Sequence, residues 1–339
     1  MRSLIRARAV TPDEDQHWDA LVEATGRQHI LQARGWAEVK AAGGWAARRF
    51  VLEDGRTPVG GAQVLLRALP LGPRLAYAPR GPVLHDPASL PEAVRALAAA
   101  LRDTLAAVLL VDPEVRDDDA IRARLAHAGC LPARLSVQPR RTLVLDLTRD
   151  PAALLAAMRR KTRQYIRKAE RDGVATEEAD DVASFYAIER VVAERNRFGI
   201  HERGYFEAIW RTFAPAGRAH LFFARVGAAR VGTLLVLRWG DRAWEMFGGW
   251  TGERPEAHPF YLLKWRAMLR LRQLGVRSYD MWGLADTPRP DDPLAGVENF
   301  KLGFDGEERA YVGAWEAPVR RALFALWRFA SRVLPSTTA

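Results

Sequence analysis

From residue 141 the chain restarts a pattern that it has already used once. "RRTLVLDL" reads as a β-strand, and "TRDPAALLAAMRRKTRQYIRKAERDGV" follows as helix and turn. Upstream, "AARRFVLEDGRTPVGGAQVLLRAL" gives two β-rich runs split by polar and glycine residues, as in a hairpin. "LPEAVRALAAALRDTLAAVLLVDPEV" then supplies a long helix, a short apolar strand and a proline stop. Downstream, the helices "DVASFYAIERVVAERNRFG" and "ERGYFEAIWRTFA" lead into the strands "AHLFFARVG", "ARVGTLLVLRWG" and "RAWEMFGGW". The helix "PFYLLKWRAMLRLRQLG" stops at Gly275, as a C-terminal cap requires, and the strand "VRSYDMWGL" follows. Strand–helix alternation written twice over 339 residues predicts two mixed α/β domains with a boundary near 140–148.

Charge narrows the partners without naming one. Lys+Arg 51 against Asp+Glu 41 gives a formal charge of +10, which favours anions: nucleic acid, nucleotides, phospholipid or phosphorylated substrates. A single cysteine, Cys130, excludes an intrachain disulfide, and it reads as a small core residue without a local histidine partner. The seven histidines show no ligand spacing, so no metal is expected. The amino terminus lacks a signal-peptide apolar core, and the most apolar run, 97–112, contains Arg102 and Asp103. The expected location is the cytoplasm.

Only five lysines stand in this arginine-rich chain: Lys40, Lys161, Lys168, Lys264 and Lys301. Lys301 follows Phe300 in "GVENFKLGF", and Lys40 follows Trp36 by four, so that pair shares a helical face. "MRRKTRQYIRKAER" spaces Arg160, Arg163, Arg167 and Arg171 by three and four. Arginine forks on one face suit phosphate oxygens, although a solvated helix balanced by Glu170 and Asp172 fits as well. Arg80, between Pro79 and Pro82, sits in a stiff turn suited to presenting it to an anion. Tyr279 and Trp282 flank Asp280 on a strand, so at least one of them is expected in the core.

Several separated stretches resemble the Fem family of peptidoglycan-bridge aminoacyltransferases. They are "QARGWAEVK" (32–40), "AYAPRGPVLHD" (76–86), "KTRQYIRKAERDGV" (161–174), "HPFYLLKWRAM" (258–268), "RSYDMWG" (277–283) and "ENFKLGFDGE" (298–307). The resemblance implies two acetyltransferase-like (GNAT-type) α/β domains with mixed sheets flanked by helices. Residues 1–146 plus 317–339 would form the first and 147–316 the second. The run from "AWEMFGGW" to "PFYLLKW" leaves no room for the helical-hairpin arm of some members, so the chain resembles the armless type.

By the same resemblance, Phe300, Lys301 and Asp112 carry the chemistry. The resemblance also places Lys40 at an acceptor phosphate, with Tyr205 a nearby candidate. From their own settings Trp36, Arg80, Tyr261 and Asp280 are expected to bind substrate, and Arg160, Lys161, Arg163 and Arg167 to meet tRNA or other phosphate. The family's second-domain arginine has no clean match, with Arg197 and Arg203 nearby. The donor would be aminoacyl-tRNA, carrying glycine or alanine for example. The acceptor would be UDP-MurNAc-pentapeptide or lipid II, with no cofactor and a monomeric enzyme. Aminolysis of an ester builds negative charge on the carbonyl oxygen, which a fixed ammonium stabilises. Asp112 or Asp280 would serve as base only if the site raised its pKa.

Two rival readings stay open. An acyl-CoA-dependent N-acyltransferase would use the same fold, although no R/Q-x-x-G-x-G/A loop is visible. A noncatalytic basic module would bind tRNA or membrane without transfer. The tail "VRRALFALWRFASRVL" also reads in two ways. It docks on the first domain, or its Arg320, Arg321, Arg328 and Arg332 beside bulky apolar residues touch an anionic bilayer at the inner membrane face.

Overall fold

The computed structural model describes residues 5–70, 72–134, 136–285 and 295–333. The described chain runs β1 (Ile5–Ala9), α1 (Pro12–Gln16), α2 (Trp18–Glu23), α3 (Arg34–Ala41), β2 (Ala46–Asp54), β3 (Thr57–Ala68), β4 (Arg74–Ala78) and β5 (Val83–Leu84). Then come α4 (Leu90–Ala100), β6 (Ala106–Val111), α5 (Asp119–His127), β7 (Leu131–Pro132), β8 (Arg141–Asp146), α6 (Pro151–Ala157), α7 (Arg160–Arg171) and β9 (Ala175–Glu178). The remainder is α8 (Val182–Asn196), α9 (Arg203–Phe213), β10 (Ala219–Val226), β11 (Ala229–Trp239), β12 (Arg242–Trp250) and α10 (Pro259–Gln273). After these follow β13 (Ser278–Leu284), α11 (Ala295–Lys301), β14 (Glu307–Ala310), β15 (Trp315–Pro318) and α12 (Arg321–Val333).

Two units result. The first reaches Arg140 and resumes at Ala310; the second is Arg141–Arg309. The first holds a mixed sheet ordered β1-β2-β3-β4-β6-β15-β7, with β5 paired to β3. Every residue of β6, "AAVLLV", is buried, as expected of a strand that runs parallel to β4 and is covered on both faces. The second sheet is ordered β14-β8-β13-β12-β11-β10-β9. Its core packs α10 through Leu263, Ala267, Met268 and Leu271 with Tyr279 and Met281 of β13. The fold is thus two mixed α/β units flanked by helices.

The division of the chain differs from the sequence expectation at both joins. Strand β8, expected at the end of the first domain, pairs antiparallel with β13 and so belongs to the second. At the other join, β15 pairs antiparallel with β6, which carries residues 310–316 into the first. Apolar alternation identifies a strand but not its neighbour.

The basic segment also differs from the expected single helix. Helix α6 stops at Ala157, because Met158 is extended, with ψ 153. The amide of Arg159 donates to the Gly303 carbonyl at 2.9 Å before α7 begins. The expected stop at Gly275 holds, and side-chain caps not read from the sequence set three helix starts. Asp118, Asp150 and Asp181 cap α5, α6 and α8 with side-chain oxygens, and Gly275 takes φ +88 just after α10. Strand β12 passes to α10 through residues 251–258, which hold one short 3₁₀ turn, Pro255–Ala257. Among the described residues no helix is long and apolar enough to cross a membrane.

Candidate active site

In the second unit, β12 and β13 pair in parallel only over Arg242–Trp244 and Ser278–Asp280, although both strands continue further. Glu245 is the next residue of β12, at a register shift, and it is 7 % exposed. Both of its carboxylate oxygens are engaged. Lys264 of α10, 1 % exposed, pairs with Oε1, and the Tyr279 hydroxyl donates to Oε2 at 2.7 Å. Burial pulls the Lys264 ammonium below the usual lysine range, while Glu245 pulls it back up. Two rings complete the setting. The Lys264 Nζ lies 5.0 Å from the Phe260 ring centroid and 5.3 Å from that of Phe300, within cation–π reach. Phe260 and Phe300 are stacked at 5.5 Å.

Lys301 closes the same cluster. It is partly buried at the end of α11, and its Nζ donates to the Gly283 carbonyl of β13 at 2.7 Å. Its ammonium is pushed down to about 8, first by burial and then by the Lys264 charge. Glu245, Asp280 and Glu298 oppose that shift. The ring placed against an ammonium is therefore Phe300 against Lys264, not Phe300 against its sequence neighbour. Tyr261, one turn before Lys264, meets the Phe300 ring edge-on at 4.6 Å. Burial raises its phenol.

Glu189 of α8 is the residue that motif reading missed. It lies on the helix face that buries Phe185, Ile188 and Val192, and it is 5 % exposed. Its Oε1 has no hydrogen-bond partner among the described residues. Helix α8 reaches the sheet closely because Gly249 of β12 has no side chain; a Cβ there would meet Val192 Cγ1 at 2.7 Å. Burial, then the Glu245 charge, push the Glu189 carboxyl up to about 7. Two signals were present in the sequence: a glutamate at an apolar-face position of α8, and a scarce lysine, Lys264, one turn after Phe260 and Tyr261.

A stability measurement tests the Glu189 assignment. The folded pKa near 7 exceeds the ordinary value of 4.5, so the native state binds the proton more tightly than the unfolded state. Stability should therefore fall as pH rises from 4.5 through 7. Glu189→Gln should be more stable than wild type at pH 8 by up to about 3 kcal/mol, the 2.5-unit difference converted. The gap should close below pH 4.5. Urea unfolding at several pH values reads this directly, and a gap that ignored pH would reject it.

The other expected residues fall into separate groups. Asp280 is buried, and its Oδ1 accepts from the Thr142 hydroxyl and from the Trp282 amide at 2.7 Å, which ties it to the backbone. That amide belongs to a residue at φ +62, a conformation costly for tryptophan. Tyr279 is fully buried, whereas Trp282 is partly exposed. Tyr205 stacks on His201 at 4.0 Å, with Phe206 and Phe247 near, and burial raises its phenol.

On α7, Arg160, Lys161 and Arg167 are exposed, whereas Arg163 is half-buried. The Arg163 guanidinium donates to the carbonyls of Ala156 and Met158, so it is withdrawn from the expected phosphate face. The cause is the early end of α6, which leaves those carbonyls needing donors. The helix is tied to the Lys301 segment in two ways. A Cβ on Gly303 would overlap Thr162 Oγ1, and Tyr165 meets Tyr261 at 5.0 Å, whose ring in turn meets Phe300.

In the first unit, Asp112 is 3 % exposed just after β6. It accepts from the Tyr77 hydroxyl at 2.6 Å and the Arg80 amide at 2.7 Å. Burial raises its carboxyl to about 6, against the Arg80 charge and these hydrogen bonds. Arg80 does not project from its turn as expected. It is buried, donates to the Pro139 carbonyl at 2.9 Å and lies 5.1 Å from the Tyr311 ring centroid. Its backbone takes a positive φ, +51. Lys40, in the last turn of α3, is half-buried, and burial followed by the Arg67 charge lowers its pKa. Trp36, one turn earlier, belongs to the core.

Comparison with known proteins follows the division into two units. A FemAB family model matches residues 14–120, and an acetyltransferase (GNAT) domain model matches residues 156–302. A crystal structure of FemX superposes with a TM-score of 0.83 at 20 % identity, covering 95 % of this chain and 99 % of that one. The chain thus shares the two-unit fold of FemX, and its first unit is similar to the FemAB family. A tandem GNAT protein from the clavulanic acid biosynthesis pathway also superposes, at 19 % identity with a TM-score of 0.53, covering 93 % and 98 %.

Lipid II:glycine glycyltransferases of Staphylococcus saprophyticus subsp. saprophyticus and Staphylococcus aureus are each 29 % identical to this chain, over 226 and 228 residues. Each match takes in 62 % of this chain and 54 % of the relative. The chain thus spans about half the length of those relatives.

Proposed function

We propose that this protein is an armless FemABX-like aminoacyltransferase that moves an amino acid from aminoacyl-tRNA to the stem-peptide amine of a peptidoglycan precursor. The acceptor is UDP-MurNAc-pentapeptide or lipid II, glycine and alanine are the first donors to test, and the reaction belongs in the cytoplasm. One observation carries the reading: two lysine ammoniums, Lys264 and Lys301, are held in one cluster around Glu245, although this chain otherwise places positive charge on arginine. Likeness to the glycyltransferases and to FemX supports the substrate class.

In this reading the acceptor amine attacks the ester carbonyl, a C–N bond forms, and the ester C–O bond to the tRNA ribose breaks. Negative charge on the carbonyl oxygen meets the Lys301 ammonium, which is anchored to the Gly283 carbonyl and needs no reorganisation. Phe300 and Lys264 hold that segment in register. The attacking amine must shed a proton as the C–N bond forms, and the leaving ribose oxygen must gain one. Glu189, poised near neutrality, suits that task better than Asp280, whose Oδ1 already accepts from the Thr142 hydroxyl and the Trp282 amide. Exposed Arg160, Lys161 and Arg167 are the proposed contacts for tRNA phosphate.

Lys40 is the proposed anchor for an acceptor phosphate. Lys40→Ala should raise the acceptor KM by about tenfold with little change in kcat, as loss of one charged contact implies. Acceptor titration checks it, and unchanged affinity would remove Lys40 from the site. The deciding assay supplies mixed charged tRNAs with UDP-MurNAc-pentapeptide or lipid II and reads product masses. The GNAT domain match favours one second reading, transfer from an acyl-CoA. Acylated product from acetyl-CoA, with none from charged tRNA, would establish that reading instead.

A further inference from the structure

Helix α12 carries apolar side chains on its solvent face. Leu326 and Phe329 are 64 % and 67 % exposed, the highest values among the exposed large hydrophobics. Ala322 and Ala325 are exposed on the same side, at the three- and four-residue spacing of one helical face. The polar contacts lie on the other side. Trp327 donates to Glu316 Oε1 at 3.2 Å, and Arg328 donates to Glu316 Oε2 at 2.6 Å. Thus the helix is docked on the first unit, as one sequence reading expected. Yet none of its described side chains is fully buried, and its outward face reverses the usual pattern of a surface helix.

Apolar and cationic groups continue beyond the helix. Arg320 places its guanidinium on the Arg102 carbonyl at 2.6 Å, which brings the helix start close to Leu105, 52 % exposed. Further along, Arg328 reaches the Pro132 carbonyl at 3.4 Å, next to Leu131, 40 % exposed. Arg102, Arg320 and Arg321 are exposed around this apolar strip, and the nearby acid Asp103 is already paired with Arg48 at 2.8 Å. The Arg332 side chain lies outside the described residues.

We propose that this face is a docking surface for an anionic lipid bilayer. Leu326, Phe329 and the flanking leucines enter the boundary of the acyl region, while Arg102, Arg320 and Arg321 meet lipid phosphates. Charge selects this occupant over a second copy of the chain, because a symmetric pairing would bring two arginine rims and two +10 chains together. The inference stands independently of the aminoacyl-transfer reading. If both hold, the surface brings the enzyme to a lipid-linked acceptor.

Co-sedimentation with vesicles tests it. Wild-type protein should bind phosphatidylcholine vesicles containing phosphatidylglycerol at least tenfold more tightly than phosphatidylcholine alone. Leu326→Glu with Phe329→Glu should lower that binding by at least tenfold, and Arg321→Glu should weaken it and flatten its salt dependence. Leu326→Ser with Phe329→Ser, which adds no charge, should also lower it; circular dichroism checks that each variant is folded. Equal wild-type binding to both vesicles, or undiminished binding by the folded double variants, would overturn the proposal. So would a wild-type dimer that the double variants convert to monomer without any vesicle binding. Transfer to soluble UDP-MurNAc-pentapeptide should be unchanged in the double variants, which separates this outcome from failure of the transferase reading.

Discussion

Lys301→Ala should lower aminoacyl transfer by about 10²-fold, the usual loss when one fixed donor to a developing oxyanion is removed. The fall should appear in kcat, because the carbonyl oxygen gains its charge only in the transition state. Lys301→Arg keeps a cation but cannot keep one compact ammonium on the Gly283 carbonyl, so it should rescue poorly. The ammonium titrates near 8, so wild-type kcat should lose its Lys301-dependent part as pH rises through that value. The alanine variant should lack this limb. Folding should be intact, since Lys301 is only partly buried and closes a short helix. Near-normal transfer by a folded Lys301→Ala protein would end the oxyanion assignment.

The largest stability loss is expected at a different lysine. Lys264→Met leaves the Glu245 carboxylate buried with, among the described residues, the Tyr279 hydroxyl as its side-chain hydrogen-bond donor and the Lys301 charge nearby. Removing one member of a buried ion pair typically costs about 3–5 kcal/mol, because the remaining charge stays desolvated. Urea unfolding at pH 7 measures it. Glu245→Gln in the same chain keeps an acceptor for Tyr279 and removes the stranded charge, so the double variant should recover about 1 kcal/mol or more. If Lys264→Met unfolds within about 0.5 kcal/mol of wild type, a spread normal for surface changes, the cluster is not held by this pair.

The two lysines divide the work. Lys264 is fully buried between Glu245 and two rings and maintains the local structure. Lys301 is less buried and donates to the Gly283 carbonyl, so in the proposed reaction it is the ammonium that a substrate carbonyl would meet. This changes the meaning of the Phe300–Lys301 pair. The ring lies against Lys264, and in the proposed reaction its sequence neighbour would supply the charge.

Sequence alone determined the elements whose signals are local. Strands such as β6 and β13 and the stop at Gly275 follow from side-chain period and backbone preference over a few residues. The scarcity of lysine also marked Lys301 and Lys264, without saying which ring faced which charge. Tertiary structure decided everything that depended on partners distant in the chain. It paired β8 with β13 and β15 with β6, ended α6 at Ala157, withdrew Arg163 and Arg80 from solvent, and brought Glu189 and Glu245 into one electrostatic neighbourhood. The physical reason is that burial and Coulomb energy depend on distance in space, whereas propensity and capping depend on distance along the chain.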